Sequence, residues 1–237
     1  GVAGYYVRKN LHGETARTML KIGILLFALT PLLQLGAGHA HAVKVINLQP
    51  EKAAAMEGHF DTTRGAPIYA LGYVDEQNRK TYGIYIPRGL SFLYNFDWNS
   101  EIQGLNEYPK ENWPPVNLLF QVYHIMVGAG ALMIALGLLG AYLLWRGKLY
   151  DNKLYLLILP FLIPLPHIAH ETGWIAAEVG RQPWIIYRLM KTSDAASVVV
   201  SAGEITFSLI MFFLIYFLLA VMFVKLFIKI VQKGPAA

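Results

Sequence analysis

VNLLFQVYHIMVGAGALMIALGLLGAYLLW, residues 116–145, contains no Asp, Glu, Lys or Arg. A helix rises about 1.5 Å per residue, so roughly 20 apolar residues cross the ~30 Å hydrocarbon layer of a bilayer. The stretch exceeds that need, and it reads as a membrane-spanning helix. Working outward, residues 22–38, 154–170 and 205–224 are equally free of the four charged residue types. Each has about the 17 residues that are the minimum for a span. The chain of 237 residues is 55% hydrophobic and 15% charged, against about a quarter charged in soluble domains. The fold class is therefore an all-α membrane protein with four transmembrane helices, and a soluble domain is excluded.

Charge placement sets the expected orientation. The segment before the first span carries Arg8, Lys9, Arg17 and Lys21; the link after the second carries Arg146, Lys148 and Lys153; the tail carries Lys225, Lys229 and Lys233. All three lie on one side if the spans are simple crossings, and the positive-inside rule makes that side cytoplasmic. Both termini are then inside and the long loop outside. The net charge of +5 belongs to this asymmetry and implies no nucleic-acid partner. With no cysteine, disulfides, thiolate metal sites and haem attachment through Cys are excluded.

The expected segments are residues 1–17 (the cytoplasmic end of an earlier helix and a link), 18–38 (first span), 39–115 (extracytoplasmic loop), 116–145 (second span) and 146–153 (cytoplasmic loop). They continue with 154–180 (third span), 181–203 (a second extracytoplasmic segment), 204–226 (fourth span) and 227–237 (tail). The opening residues 1–6 have neither an initiator Met nor the order of a signal peptide, so they read as the tail end of an earlier helix, the chain being either a fragment or one whose remainder lies elsewhere.

Three features stand out within that frame. In the loop, QPEKAAAME (residues 49–57) puts Pro at a helix start followed by alanines, which predicts a short helix. Residues 68–74 and 81–86 are β-prone and aromatic, and predict a hairpin on the membrane surface. In the third span, Pro160, Pro164 and Pro166 predict a kink, tolerable where neighbouring helices satisfy the freed carbonyls.

His167, Glu171, Trp174, Glu178 and Arg181 recur at helical spacing, with His170 at the edge of the same stripe. Ionisable groups within a span cost about 2.5–3.5 kcal/mol each even on lenient scales, so they need a partner, a cofactor or a water path. A plainer reading puts Glu178 and Arg181 past the membrane edge as a simple ion pair. Lys52 and Glu57 likewise read either as chemistry or as an ordinary solvated helix face, and Met126 alone reads as core packing.

The residues Gly173-Trp174, Glu178 and Gly180-Arg181-Gln182-Pro183-Trp184 match the signature GWxxxExGRQPW of cytochrome bd oxidase subunit I, a family this chain resembles. YHIMVG (residues 123–128) resembles that family's low-spin haem helix, and residues 49–57 resemble the QPxKxAAxE pattern of its quinol-binding loop. The resemblance implies the second half of a nine-span bundle. It implies Met126 as an axial ligand of low-spin haem b and Glu178 as an axial ligand of a high-spin haem b, with haem d or a further haem b completing the oxygen site. Trp174 and Arg181 would shape the pocket, Arg181 meeting a propionate, and His124 would serve a propionate or a proton. Lys52 and Glu57 would bind and deprotonate quinol.

The implied partners are a chain carrying the N-terminal half of subunit I with its His haem ligands, subunit II, the lipid bilayer and quinol. The implied location is a bacterial or archaeal cytoplasmic membrane, and the implied activity is quinol oxidation with reduction of O2 to water and generation of a proton gradient. One departure is Gly38-His39-Ala40-His41, where members of the family often read Gly-Asp. The alternatives are a relative with a non-quinol electron donor, or a haem-free transporter or assembly subunit.

Overall fold

Proline placement and a few close helix contacts determine how the spans are cut and packed in the computed structural model, which describes residues 1–195, 197 and 199–234. Ala196 and Val198 of the 181–203 segment, and the last three residues of the tail expected over 227–237, lie outside the described residues. A short helix α1 (Val2–Arg8) turns through the left-handed residues Asn10 and His12 into α2 (Gly13–Leu48). This helix of 36 residues is about 54 Å long, well beyond the hydrocarbon layer. It therefore runs ten residues past the boundary expected at Gly38, taking His39 and His41 with it. The charge-free run marks a span, whereas Ala37, Ala40 and Ala42 let the helix continue past it.

The loop folds as a cap on the helix ends. Pro50 opens α3 (Pro50–Met56) as expected. There follow β1 (Thr63–Arg64), β2 (Ile68–Asp75), β3 (Lys80–Ile86), α4 (Gly89–Asn95) and β4 (Glu101–Ile102). The strands β2 and β3 form the expected hairpin, antiparallel with Tyr73 opposite Tyr82 and Leu71 opposite Ile84. Its turn is closed by Asp75 Oδ1, which accepts the N–H groups of Gln77 and Asn78 at 3.0 Å each. A second small pairing joins β1 to β4.

The spans follow. The second is α5 (Val116–Trp145), with the bounds expected from its lack of charge. The third, Lys153–Val179, is kinked as expected: α6 (Lys153–Ile158), a 3₁₀ turn over Leu159–Leu162, then α7 (Leu165–Val179). Pro160 falls in the 3₁₀ turn and Pro164 and Pro166 at the start of α7, where a missing N–H leaves no helical bond unmade. After α7 come β5 (Trp184–Ile186) and β6 (Met190–Lys191), a short antiparallel pair, then α8 (Ala202–Lys233), begun by a Ser201–Glu204 capping box.

Small residues let α5 approach its neighbours. A Cβ on Gly137 would lie 2.6 Å from the Phe27 carbonyl oxygen of α2, so only glycine permits this crossing. Beside it, the Tyr155 hydroxyl donates to the Leu136 carbonyl at 2.8 Å. At this end Leu20, Ile24, Leu143, Leu149, Leu156 and Leu159 form one core. Arg17 lies over the Tyr150 ring, and the Tyr6 hydroxyl donates to the Val231 carbonyl. The three basic stretches are thus gathered at one end of the molecule. At the other end Ala54, Ala55, Phe60, Val74, Leu105, Leu119, Phe120 and Ala176 bury the loop against α5 and α7.

Replacing Gly137 with Val forces the α2–α5 crossing apart and is expected to cost about 1–3 kcal/mol, as overpacking does. The unfolding midpoint of the purified protein should fall. Gly128→Ala, at a position whose added Cβ meets nothing within 4 Å, should leave it in place. Equal midpoints for the two variants would refute the close crossing.

Candidate functional site

The C-terminal end of α7 is where loop and span meet. The helix carries His167, His170, Glu171, Trp174 and Glu178. His167, His170 and Glu171 are exposed, and Trp174 is 61% exposed. Arg181 sits just beyond the helix, in a turn closed by its N–H on the Glu178 carbonyl at 3.2 Å. Its guanidinium pairs with Oε2 of Glu178, both side chains being half-exposed. The plainer ion pair weighed from sequence is therefore present, and it sits within a larger cluster. Lys52, from α3, donates through Nζ to the Ala177 carbonyl at 2.9 Å. Its stem lies on Gly180, where a Cβ would come within 2.8 Å of the Lys52 Cε. An ammonium at a helix C-terminus satisfies an orphan carbonyl and meets the negative end of the helix dipole. Burial, and then the Arg181 charge, hold the Lys52 amine below the usual lysine range, while Glu178 opposes that shift.

Glu57 leaves α3 in another direction. It is 2% exposed, and the Tyr94 hydroxyl of α4 donates to its Oε1 at 3.3 Å. Tyr123 of α5 also interacts favourably with the carboxyl, yet Oε2 has no hydrogen-bond partner of acceptable geometry among the described residues. Desolvation dominates over both tyrosines, and the carboxyl is pushed up to about 7. Lys52 and Glu57 are thus not brought together: one points to α7, the other to Tyr94 and Tyr123.

Met126 and His124 occupy different faces of α5, as their spacing requires. The Met126 thioether lies against α7, where a Cβ on Gly173 would stand 2.7 Å from Sδ. His124 stacks on Phe120 at 3.9 Å, and its two ring nitrogens lie 2.8 Å from the carbonyls of Phe120 and Tyr69. With Gln121 donating to Gly72 and Asn117 accepting from Val74, it seams the hairpin to the first turns of α5.

Among the described residues no three His, Asp or Glu side chains gather as a free metal ion would need. A haem iron asks less, one axial side chain on each face. Glu178 fits such a role, since Arg181 engages Oε2 and leaves Oε1 outside the pair, with Trp174 exposed one turn away on the same face. Met126 offers a thioether, the donor such a ligand needs; its Sδ lies on the Gly173 side of α7, and a Cβ added at Gly130, one turn along its face, would meet nothing within 4 Å outside its own helix.

Sequence reasoning missed Glu51, Tyr187, Arg188, Tyr94 and His59. Glu51 is 5% exposed and accepts hydrogen bonds from Tyr187 and Arg188. An acidic residue in a first helical turn is ordinary, so its position alone carried no signal. His59 is buried with Nε2 3.3 Å from the Ile102 carbonyl, and burial depresses its basicity. The tyrosines are distant in sequence from the carboxylates that they serve.

The family model for cytochrome bd terminal oxidase subunit I matches residues 1–235. Cytochrome bd ubiquinol oxidase subunit 1 of Bacillus subtilis (strain 168) is 38% identical over 209 residues, which cover 84% of this chain and 45% of that protein. A putative cytochrome bd menaquinol oxidase subunit I of the same organism is 34% identical over 228 residues, covering 94% and 49% respectively. The solved bd oxidase of Geobacillus thermodenitrificans superposes with a TM-score of 0.85 at 28% identity, over 99% of this chain and 54% of that one. The chain spans about half the length of these relatives.

The raised Glu57 carboxyl makes stability depend on pH with a definite sign. Its ordinary value is 4.5 and its folded value about 7, so the folded state holds a proton that the unfolded chain releases between them. The stabilisation is complete below 4.5 and is lost as pH rises through about 7. Glu57→Gln stays neutral throughout, so wild type should lose on the order of 3 kcal/mol against it across that window. Unfolding midpoints of both proteins at about pH 5 and pH 8 measure the difference; parallel curves would mean that the carboxyl is not buried.

Proposed function

The chain belongs to the cytochrome bd terminal oxidase subunit I family, and on that premise we propose that it is the quinol-presenting half of a membrane oxidase that reduces O2 to water. The observation that carries this reading is the seating of α3, which holds Lys52 and is capped by Glu57, on the end of α7 that holds Glu178 and leads into Arg181. An ordinary solvated loop helix would not send its lysine into the carbonyl end of a span.

In this reading quinol is oxidised at the loop, losing two electrons and two protons. Glu57 takes one proton as general base, its basicity near neutrality suiting the task. Lys52 uses one of its three N–H donors on Ala177, leaving two for a quinol oxygen or its developing anion. Met126 would donate its thioether to low-spin haem b, and Glu178 a carboxylate oxygen to a high-spin haem b, with haem d or a further haem b alongside. When bound, these groups supply one-electron transfer and the iron at which oxygen is reduced. Arg181 neutralises charge beside Glu178 and is placed to meet a propionate, while Trp174 covers the same face. We assign His124 to holding the hairpin on α5 beside Met126.

The opposing His ligands would come from the N-terminal half of the family's subunit, and subunit II would complete the complex. With the basic end cytoplasmic and the loop outside, quinol protons leave outside and protons for water enter from the cytoplasm, which builds the gradient without a pump.

In the assembled complex, Met126→Leu should remove or shift the low-spin haem band and spare the high-spin bands. Glu178→Ala should do the reverse, lowering high-spin haem content and oxygen consumption. Unchanged spectra in both variants would reject the haem assignments. Quinol oxidation should also rise with pH through about 7 as Glu57 becomes able to accept a proton. That limb should be absent in Glu57→Gln; its survival there would assign the base elsewhere.

A further inference from the structure

Glu51 is a buried carboxylate to which the mechanism above gives no part. It stands between Pro50 and Lys52 in the first turn of α3, and its partners come from the segment beyond α7. The Tyr187 hydroxyl donates to Oε2, and Arg188 Nη2 donates to Oε1 at 2.9 Å. Arg188 is held in the left-handed region at φ +57°, in the turn between β5 and β6, and its guanidinium lies 5.2 Å from the Tyr187 ring centre. A carboxylate this buried is tolerable only when hydrogen-bonded and paired, so Glu51 and its two donors stand or fall together.

The same helical turn grips the other end of this segment. Lys52 is bonded to the Ala177 carbonyl, with its stem on Gly180. Adjacent residues of α3 therefore hold both the start and the finish of residues 177–188, which include Glu178 and Arg181. The crevice between them is lined by Gln49, Glu51, Lys52, Gly180, Arg181 and Trp184 among others.

We propose that Glu51 is a positioning residue, which with Tyr187 and Arg188 clamps the loop helix onto residues 177–188 and thereby sets where the Lys52 ammonium stands relative to the Glu178–Arg181 pair. The kinetic consequence rests on the quinol reading above; the clamp itself does not. Glu51 touches neither quinol nor haem in this scheme. It acts through Lys52, so its effect must vanish when Lys52 is gone.

The test uses the assembled complex and two readouts. In Glu51→Ala, hydrogen exchange of residues 50–57 and 181–191 should quicken together, and the KM for a short-chain quinol should rise severalfold at little cost in kcat. In a Lys52→Ala background the same substitution should leave KM unchanged. A merely structural role would move KM equally in both backgrounds, and that outcome overturns the proposal, as does unchanged exchange in either segment. Should Glu51→Ala fail to assemble, Tyr187→Phe removes one donor and should give a smaller change of the same sign in both readouts; no change overturns the clamp. A Lys52→Ala complex with unaltered quinol kinetics would sink the quinol reading instead, and the exchange data would still decide the clamp.

Discussion

The bond from Lys52 to the Ala177 carbonyl joins two parts of the chain far apart in sequence, beside the pairing of Glu51 with Tyr187 and Arg188 and the packing of Ala54 and Ala55 with Ala176. One is a folded cap outside the apolar layer, the other the end of a kinked span. Helix ends leave carbonyls unsatisfied, and at a membrane boundary water supplies only some of the missing donors. A lysine that arrives from the cap satisfies one of them and brings a positive charge to the negative pole of α7. Glu178 and Arg181 then sit in a field set partly by the loop. Displacing the loop helix would change the electrostatics around Glu178 even if no atom of α7 moved.

The cap can bear that role because it is a packed body and not a tether. Phe120, Leu119 and Val116 of α5 are buried under Ala54, Ala55, Phe60 and Val74 of the loop. The hairpin is fastened to α5 at three successive heights, through Asn117, Gln121 and His124. Glu57 is enclosed by the same packing, and its enclosure is what raises its affinity for a proton. Rigidity and proton chemistry thus share one cause, the exclusion of water from beneath α3. Lys52 in the first turn of α3 and Glu57 at its C-cap face different walls of that enclosure, so on the quinol reading they would act on a substrate from two sides.

Most of the architecture was legible in the sequence because membranes impose simple rules. Absence of charge located all four spans, and for α5 it also gave both ends. Pro50 marked α3, and the two β-prone aromatic stretches on either side of residues 75–80 marked the hairpin. The miss at α2 has a physical source: hydrophobicity reports where lipid ends, whereas backbone propensity decides where the helix ends, and these differ by ten residues after Gly38. The three prolines signalled the kink in the third span, which the chain takes as a 3₁₀ turn over Leu159–Leu162 with αR residues on either side. At the site, helical spacing aligned Trp174 with Glu178, and the motif resemblance singled out Met126, Lys52 and Glu57. Nothing local marked Glu51, because the donors that give it meaning lie more than a hundred residues away.

The uncovered faces of α7 and α8 are not alike, and the difference says what each can adjoin. α8 shows Phe, Leu, Ile and Met on every side and buries none of its residues against the described chain. Lipid tails satisfy such a surface without further help. The outer face of α7 presents His167, His170 and Glu171 beside Trp174, and hydrocarbon cannot solvate those groups at acceptable cost. In a membrane that face must meet protein, a polar cofactor or water. It continues directly into Glu178, so the surface that needs covering and the carboxylate with a free oxygen are parts of one stripe. On the proposed reading, a haem with its propionates against a further set of helices would meet both requirements at once; lipid meets neither.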